Sequence, residues 1–453
     1  MIRDSNRLSL KLGHPRFAVL MTGFWMISLI RVVLGFNLPI YIYLIYSVVL
    51  CVLSTPVEIV SFMCSLIAFS GSFQYRYGLL IAIIVFIAKK GIKKLNIRLV
   101  IPLLLMMVWE LAHISMSGLT VYGFLQEFSE LIALTVIMLS EPLDYSDGLP
   151  IRTFSYCTLF SCFLNLIASI LVLGFSLTSM NRLGKIGIDI SDFQSLIDPN
   201  TMGFMCAFAI CGLVLIRHKK REYTSDYIVS LLLFIFILLS QSKSAILGVI
   251  VIYILFVFFT EKPKSVSPKK FFRVIMILGI AVLLSGTLFK TIIQAVIQRF
   301  QANDITTGRS AIFMFYTMHL FSSVKYMLFG IGLFNYNSQI TKLYGNLWES
   351  YPGLATYRDD VIVYKPSHNN IQEILVVWGI IGMILVILLI KAMIDHYSGQ
   401  KEKINYIPMI FLFIYGLQGE FLSAGGALML LMFSLVCMEY IPIKKKSNRI
   451  LTI

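Results

Sequence analysis

Residues 226–260 read DYIVSLLLFIFILLSQSKSAILGVIVIYILFVFFT. Two apolar runs, 226–241 and 244–260, flank a short polar turn, Ser240-Gln241-Ser242-Lys243-Ser244. A helix rises 1.5 Å per residue, so a run of about 20 apolar residues crosses the hydrocarbon core of a bilayer. Two such runs joined by a tight turn form a helical hairpin. In lipid only a helix satisfies its own backbone within one segment. Outward from this hairpin the pattern recurs. Apolar runs lie near 17–35, 38–54, 57–73, 77–88, 99–117, 122–141, 153–175 and 200–216 before it, and 272–290, 371–394, 405–421 and 425–441 after it. The expected fold is all-α, a polytopic transmembrane bundle of about 14 spans (12–14). The whole chain, 1–453, reads as a single integral membrane domain.

Composition supports this. Hydrophobic residues make up 58% and charged residues 13% of the chain, with a mean hydropathy of +0.84. A soluble domain carries about 25% charged residues. The net charge of +15 would suggest nucleic acid in a soluble protein. Here the positive-inside rule accounts for it. With the N-terminus in the cytoplasm, alternation brings 26 of the 38 Lys and Arg to the inner side, including the runs Lys89–Arg98, Arg217–Arg221, Lys262–Arg273, Lys391–Lys403 and Lys444–Arg449. Both termini are then cytoplasmic. The basic start lacks a small-residue cleavage site, so the first apolar run reads as a retained helix. All seven cysteines fall within apolar segments, without disulfide or metal-ligand spacing.

Two outer loops stand out, 176–199 and 291–370. The second is too long for a connector. Its apolar stretches Phe313–Phe321 and Tyr326–Phe334 predict short helices. The halves of the chain show no inverted repeat, which disfavours a transporter.

Topology places four polar groups on the outer face: Asp198-Pro199-Asn200, Ser242-Lys243-Ser244, Thr306-Thr307-Gly308-Arg309 and Ser367-His368-Asn369-Asn370. Lys243 reads either as a snorkelling lysine or as a cation for a phosphate group. Arg309 reads either as a surface ion-pair partner or as a bidentate phosphate ligand. His368 precedes a helix whose positive dipole end faces outward. Histidine there serves as a cap or as a base for a hydroxyl proton. Gln372 and Glu373 follow His368 and Asn369 by four residues and share a helix face. For Glu373 a capping box with Asn370 is the simpler role. Gly379 and Gly382 read as close helix-packing positions. Ionisable residues inside a membrane are expensive and face a cavity or one another. Arg31, Glu110, His113, Glu127, Glu130 and Glu420 all fall in the outer halves of their spans, so they either pair or line an outward-opening cavity.

The order of these motifs resembles the O-antigen polymerase and O-antigen ligase superfamily of bacterial inner-membrane glycosyltransferases. The resemblance covers roughly residues 195–395. It rests on Asp198-Pro199-Asn200, Ser242-Lys243-Ser244-Ala245, Thr307-Gly308-Arg309, Leu328-Phe329-Gly330-Ile331-Gly332, and His368-Asn369 followed by Gly379-Ile380-Ile381-Gly382. It implies a transfer needing no metal or other cofactor. A glycan on undecaprenyl pyrophosphate is the donor, and a sugar hydroxyl on a second lipid-linked molecule is the acceptor. Lys243 and Arg309 would hold the leaving pyrophosphate, and His368 would activate the acceptor. Asn369, Gln372, Glu373, Asn200, Asp198, Glu130, Glu127 and Glu420 are the expected substrate-binding residues. Many members have arginine where this chain has Lys243, which lacks the bidentate fork. Polymerases are the more numerous and divergent branch, so a polymerase is expected. A ligase transferring polymer to lipid A-core and a lipid-linked oligosaccharide flippase are the alternatives. A chain-length regulator is a partner implied by the family.

Overall fold

The computed structural model describes residues 14–34, 39–69, 73–90, 97–117, 121–140, 143–173, 183, 199–218, 223–259, 309–332, 340, 343–344, 354–358, 361–364, 367, 369–397, 403–416 and 427–440. The helices are α1 (Pro15–Leu34), α2 (Ile40–Leu53), α3 (Pro56–Leu66), α4 (Phe73–Lys90), α5 (Ile97–Ser117), α6 (Val121–Leu139), α7 (Leu149–Leu173), α8 (Pro199–His218), α9 (Thr224–Ser240), α10 (Lys243–Phe259), α11 (Arg309–Phe321), α12 (Val324–Phe329), α13 (Asn370–Tyr397), α14 (Ile407–Gly416) and α15 (Ala427–Glu439). The expected span 272–290 lies outside the described residues.

Among the described residues three helical segments are long and apolar enough to cross a membrane: Leu149–Leu171, Pro199–His218 and Asn370–Asp395. The other apolar stretches are shorter. α2, α3 and α14 run for 14, 11 and 10 residues, below the about 20 of a full crossing. The bundle is all-α as expected, with one short pair of strands added. Strands β1 (Ala355–Arg358) and β2 (Val361–Tyr364) pair antiparallel, Thr356 opposite Val363 and Tyr357 opposite Ile362. Their β-branched and aromatic side chains favour a pleated strand over a helix.

The helix ends sort into two groups, as alternation requires. In one, His14 ahead of α1 reaches Glu58 at the start of α3 (2.8 Å) and Asp147 ahead of α7 (3.1 Å). Lys89 near the end of α4 donates to the carbonyls of Val52 and Ser54 after α2. Asn405 ahead of α14 donates to Met438 and Tyr440 at the end of α15 (3.1 and 2.9 Å). Arg152 in the first turn of α7 meets Asp226 in the first turn of α9 through Nε and Nη2 (3.0–3.2 Å). In the other group, the end of α5 meets α12 and α13, and the start of α10 meets the end of α14.

Local sequence sets these ends. Thr55 and Glu58 form a capping box on α3, with Pro56 at its first position. The Arg152–Asp226 pair is 5% and 4% exposed. It is completed by the Asp147 carbonyl, the Tyr156 hydroxyl on Asp226 (3.1 Å) and the Tyr223 ring 4.2 Å from the guanidinium. A buried pair with its remaining hydrogen bonds filled is tolerated, whereas one partner left alone is not.

Between α10 and α13 in the chain, α11 and α12 pack on each other and on α13. Near the end of α11, His319 Nδ1 lies 2.6 Å from the Tyr344 hydroxyl, and the ring packs on Tyr326 with centroids 4.8 Å apart. Burial pushes this imidazole down to about 4 from an ordinary 6.5.

Arg152→Ala leaves Asp226 buried and unpaired, and is expected to lower stability by about 3–5 kcal/mol. A thermal unfolding scan of the purified protein in detergent checks this. His319 binds its proton more weakly folded than unfolded, so its contribution is intact above pH 6.5 and is lost as pH falls toward 4. The loss is on the order of 3 kcal/mol. His319→Gln is expected to flatten the pH dependence of the melting temperature in that window, and a pH series of scans on both proteins measures it.

Candidate functional site

The polar positions expected on the outer face lie at or next to helix starts. Lys243 is the first residue of α10 and is half-buried. A cation there sits at the positive end of the helix dipole, so helix stability does not select it. The turn before it is tightly built. Gln241 has φ 50°, Ser242 N–H donates to Ser240 Oγ (3.3 Å), and Ser242 Oγ accepts from the Ala245 N–H (3.4 Å). Ser242 and Ser244 hydroxyls are 3.2 Å apart, and Ser244 lies 2.9 Å from the Tyr415 hydroxyl on α14. Gly203 lets α8 approach this turn. A Cβ there would stand 2.8 Å from that of Ser242 and 2.9 Å from that of Ala245. Asn200 lies one turn before Gly203 on α8. Asp198 lies outside the described residues.

Arg309 is the first residue of α11, again at the positive dipole end. Its side chain lies outside the description. His368 falls outside the described residues, while Ser367 and Asn369 beside it are described. Asn369 caps α13: its Oδ1 accepts from the Ile371 and Gln372 N–H groups (3.0 and 3.2 Å). The cap is thus Asn369, not a box between Asn370 and Glu373. Helix geometry explains this, because α13 begins at Asn370. Gln372 is buried and donates through Nε2 to the Phe313 carbonyl (2.7 Å) and Thr317 Oγ1 (2.9 Å). Phe313 is one helical turn beyond Arg309, and Gln372 one turn beyond His368. This side chain therefore ties the helix that Arg309 opens to the helix that His368 precedes. Glu373 is fully buried next to it.

The described contacts bring α8, at Gly203, against the Lys243 turn, and the Arg309 helix against Gln372. Glu130 is elsewhere, buried on α6, which packs against α4, α5 and α15. Glu127 is on the same helix with its side chain outside the description, and Glu420 lies outside the described residues.

One feature was not read from the sequence. Gly379 is not a packing glycine within a continuous helix. It has φ 69° and ψ −172° and breaks α13. The Val376 and Val377 carbonyls at the break accept from Ile331 and Gly332 N–H (2.9 and 2.8 Å). A Cβ on Gly330 would lie 2.3 Å from the Val377 oxygen, and one on Gly379 2.2 Å from the Leu328 oxygen. Only glycines permit this approach. The motif Leu328–Gly332 and the motif Gly379–Gly382 are thus two sides of one contact. From α5, Trp109 Nε1 donates to the Trp378 carbonyl (3.2 Å) and His113 Nε2 to the Phe329 carbonyl (2.6 Å).

No curated protein matches the chain. Residues 228–387, about a third of the chain, match a family described as O-antigen ligase. The match lies inside the stretch that carried the resemblance and takes in Lys243, Arg309, His368 and the Gly379 break. Over that segment the chain is similar to the O-antigen ligase family, in agreement with the resemblance carried by its motifs.

Proposed function

We propose that this protein is an O-antigen polymerase that joins undecaprenyl-pyrophosphate-linked repeat units on the periplasmic face of the bacterial inner membrane. Its chain is one membrane domain of about fourteen spans, with 291–370 as the extracytoplasmic loop and both termini cytoplasmic. The observation that carries the reading is the Gln372 bridge, which joins the Arg309 helix to the one following His368. The acceptor hydroxyl oxygen attacks the anomeric carbon of the donor sugar and gives its proton to His368. The bond from that carbon to the pyrophosphate oxygen breaks, and the lipid pyrophosphate leaves with the electron pair. Lys243 and Arg309 face the charge that develops on it, where fixed cations act most strongly. Asn200, Asp198, Glu127 and Glu420 supply polar contacts for the glycan, and Asn369 and Gln372 hold the helix start in place. A chain-length regulator is the expected partner.

The second reading is the ligase, which the matched family's description names; the match fits a polymerase and a ligase alike. A flippase has no support from the match.

Surface lipopolysaccharide from a strain lacking the gene separates these. A polymerase defect leaves a single repeat unit on the core. A ligase defect leaves the core bare while polymer accumulates on the lipid carrier. His368→Ala and Arg309→Ala, expressed at parent levels, are each expected to lower polymer formation by about 100-fold or more. A normal ladder from both overturns the enzyme reading.

A further inference from the structure

We infer that Trp109 and His113 of α5 are positioning residues for the proposed transfer, holding the half-helix after His368 and the outer α11–α12 segment as one body. The inference rests on the transfer reading above. Neither residue lies in the matched segment 228–387.

The half-helix Asn370–Trp378 is short and is fixed at both ends. At its start Gln372 binds Phe313 and Thr317 of α11. At its end the Gly379 break exposes three successive carbonyls to partners from outside the helix. Val376 and Val377 take Ile331 and Gly332 N–H, and Trp378 takes Trp109 Nε1–H. His113 then holds the segment that supplies two of those partners, through the Phe329 carbonyl. The Trp109 ring also stacks on Phe329 at 5.9 Å between centroids. A Cβ on Gly382 would come within 3.1 Å of Trp109 Nε1, so α5 is seated closely against the break. His113 is buried, 5% exposed. Trp109 and His113 are four residues apart, on one face of α5, and grip both sides of the same joint. A nine-residue half-helix anchored this way transmits a shift at the joint to its far end, next to His368. A misplacement of about 1 Å at a reacting group costs roughly 100-fold in rate.

The test uses the full chain in detergent with spin labels at Lys325→Cys and Ile371→Cys, both exposed positions, the native cysteines being buried. Distance distributions and turnover on a purified lipid-linked repeat unit are measured for the parent, His113→Leu, His113→Gln and Trp109→Phe. Trp109→Phe keeps an aromatic ring and removes the N–H together with the five-membered ring of the indole. His113→Gln keeps a donor for Phe329. The expected result is a broadened distance and a kcat at least tenfold lower for His113→Leu and Trp109→Phe, with the KM for substrate within twofold of parent. His113→Gln should recover most of both. A sharp, parent-like distance in His113→Leu and Trp109→Phe overturns the latch, and a broadened distance with parent-like kcat overturns the positioning role. Should His113→Leu fail to fold, Trp109→Phe decides. Failure of the transfer reading shows separately, as full activity in His368→Ala and Arg309→Ala whatever the distances.

Discussion

A backbone carbonyl in hydrocarbon must have a hydrogen-bond partner, because no water is there to supply one. A helix that breaks at membrane depth therefore survives only where other parts of the protein bring donors to the break. In this chain the donors at the Gly379 break come from the backbone of Ile331 and Gly332 and from the Trp109 indole. The segment after α12 is thus fastened into the transmembrane bundle, and the helix cannot keep its bend without it. The arrangement of the outer face depends on this exchange. Once Leu328–Gly332 lies in the break, α11 is drawn against the start of α13, and Gln372 reaches Phe313.

Much of the bundle was legible because lipid reads hydropathy directly. The ends of α1, α2, α5, α6, α8, α9 and α10 fall within a few residues of the apolar runs. Contacts such as Lys89 to Val52 and Arg152 to Asp226 join ends that alternation assigns to a common face. The number of full crossings was less legible, since an apolar run does not say how long the helix within it will be. The short α3 illustrates this: its Thr55-Pro56-Val57-Glu58 start is plain in the sequence, but its end is not. The hairpin at 355–364 was missed because a few β-branched residues in a mixed-polarity loop carry little periodicity.

For the candidate site the sequence singled out residues and not their geometry. Lys243 and Arg309 stood out as cations on the outer face, and both occupy first helical positions. Asn369 and Gln372 were expected to face substrate. In the structure their side chains cap α13 and bind α11. A polar residue at a helix start has the same sequence signature whether its partner is a sugar or a backbone. Gly379 posed a related ambiguity. Spacing alone does not separate a glycine that admits a neighbouring helix from one that adopts φ 69°. Trp109 could not have been found by pattern, since its partner lies 269 residues away.

That separation bears on how the chain is assembled. α5 is synthesised and inserted long before Trp378 exists to receive its indole N–H, and α1 likewise precedes its partner Asp147 by 133 residues. Domains built from such distant contacts close late. The joint at Gly379 needs α5, the segment after α12 and α13 to be present together, so an unfinished chain has no aligned outer face. A partly inserted copy would carry the early helices in the bilayer without that joint until α13 is made.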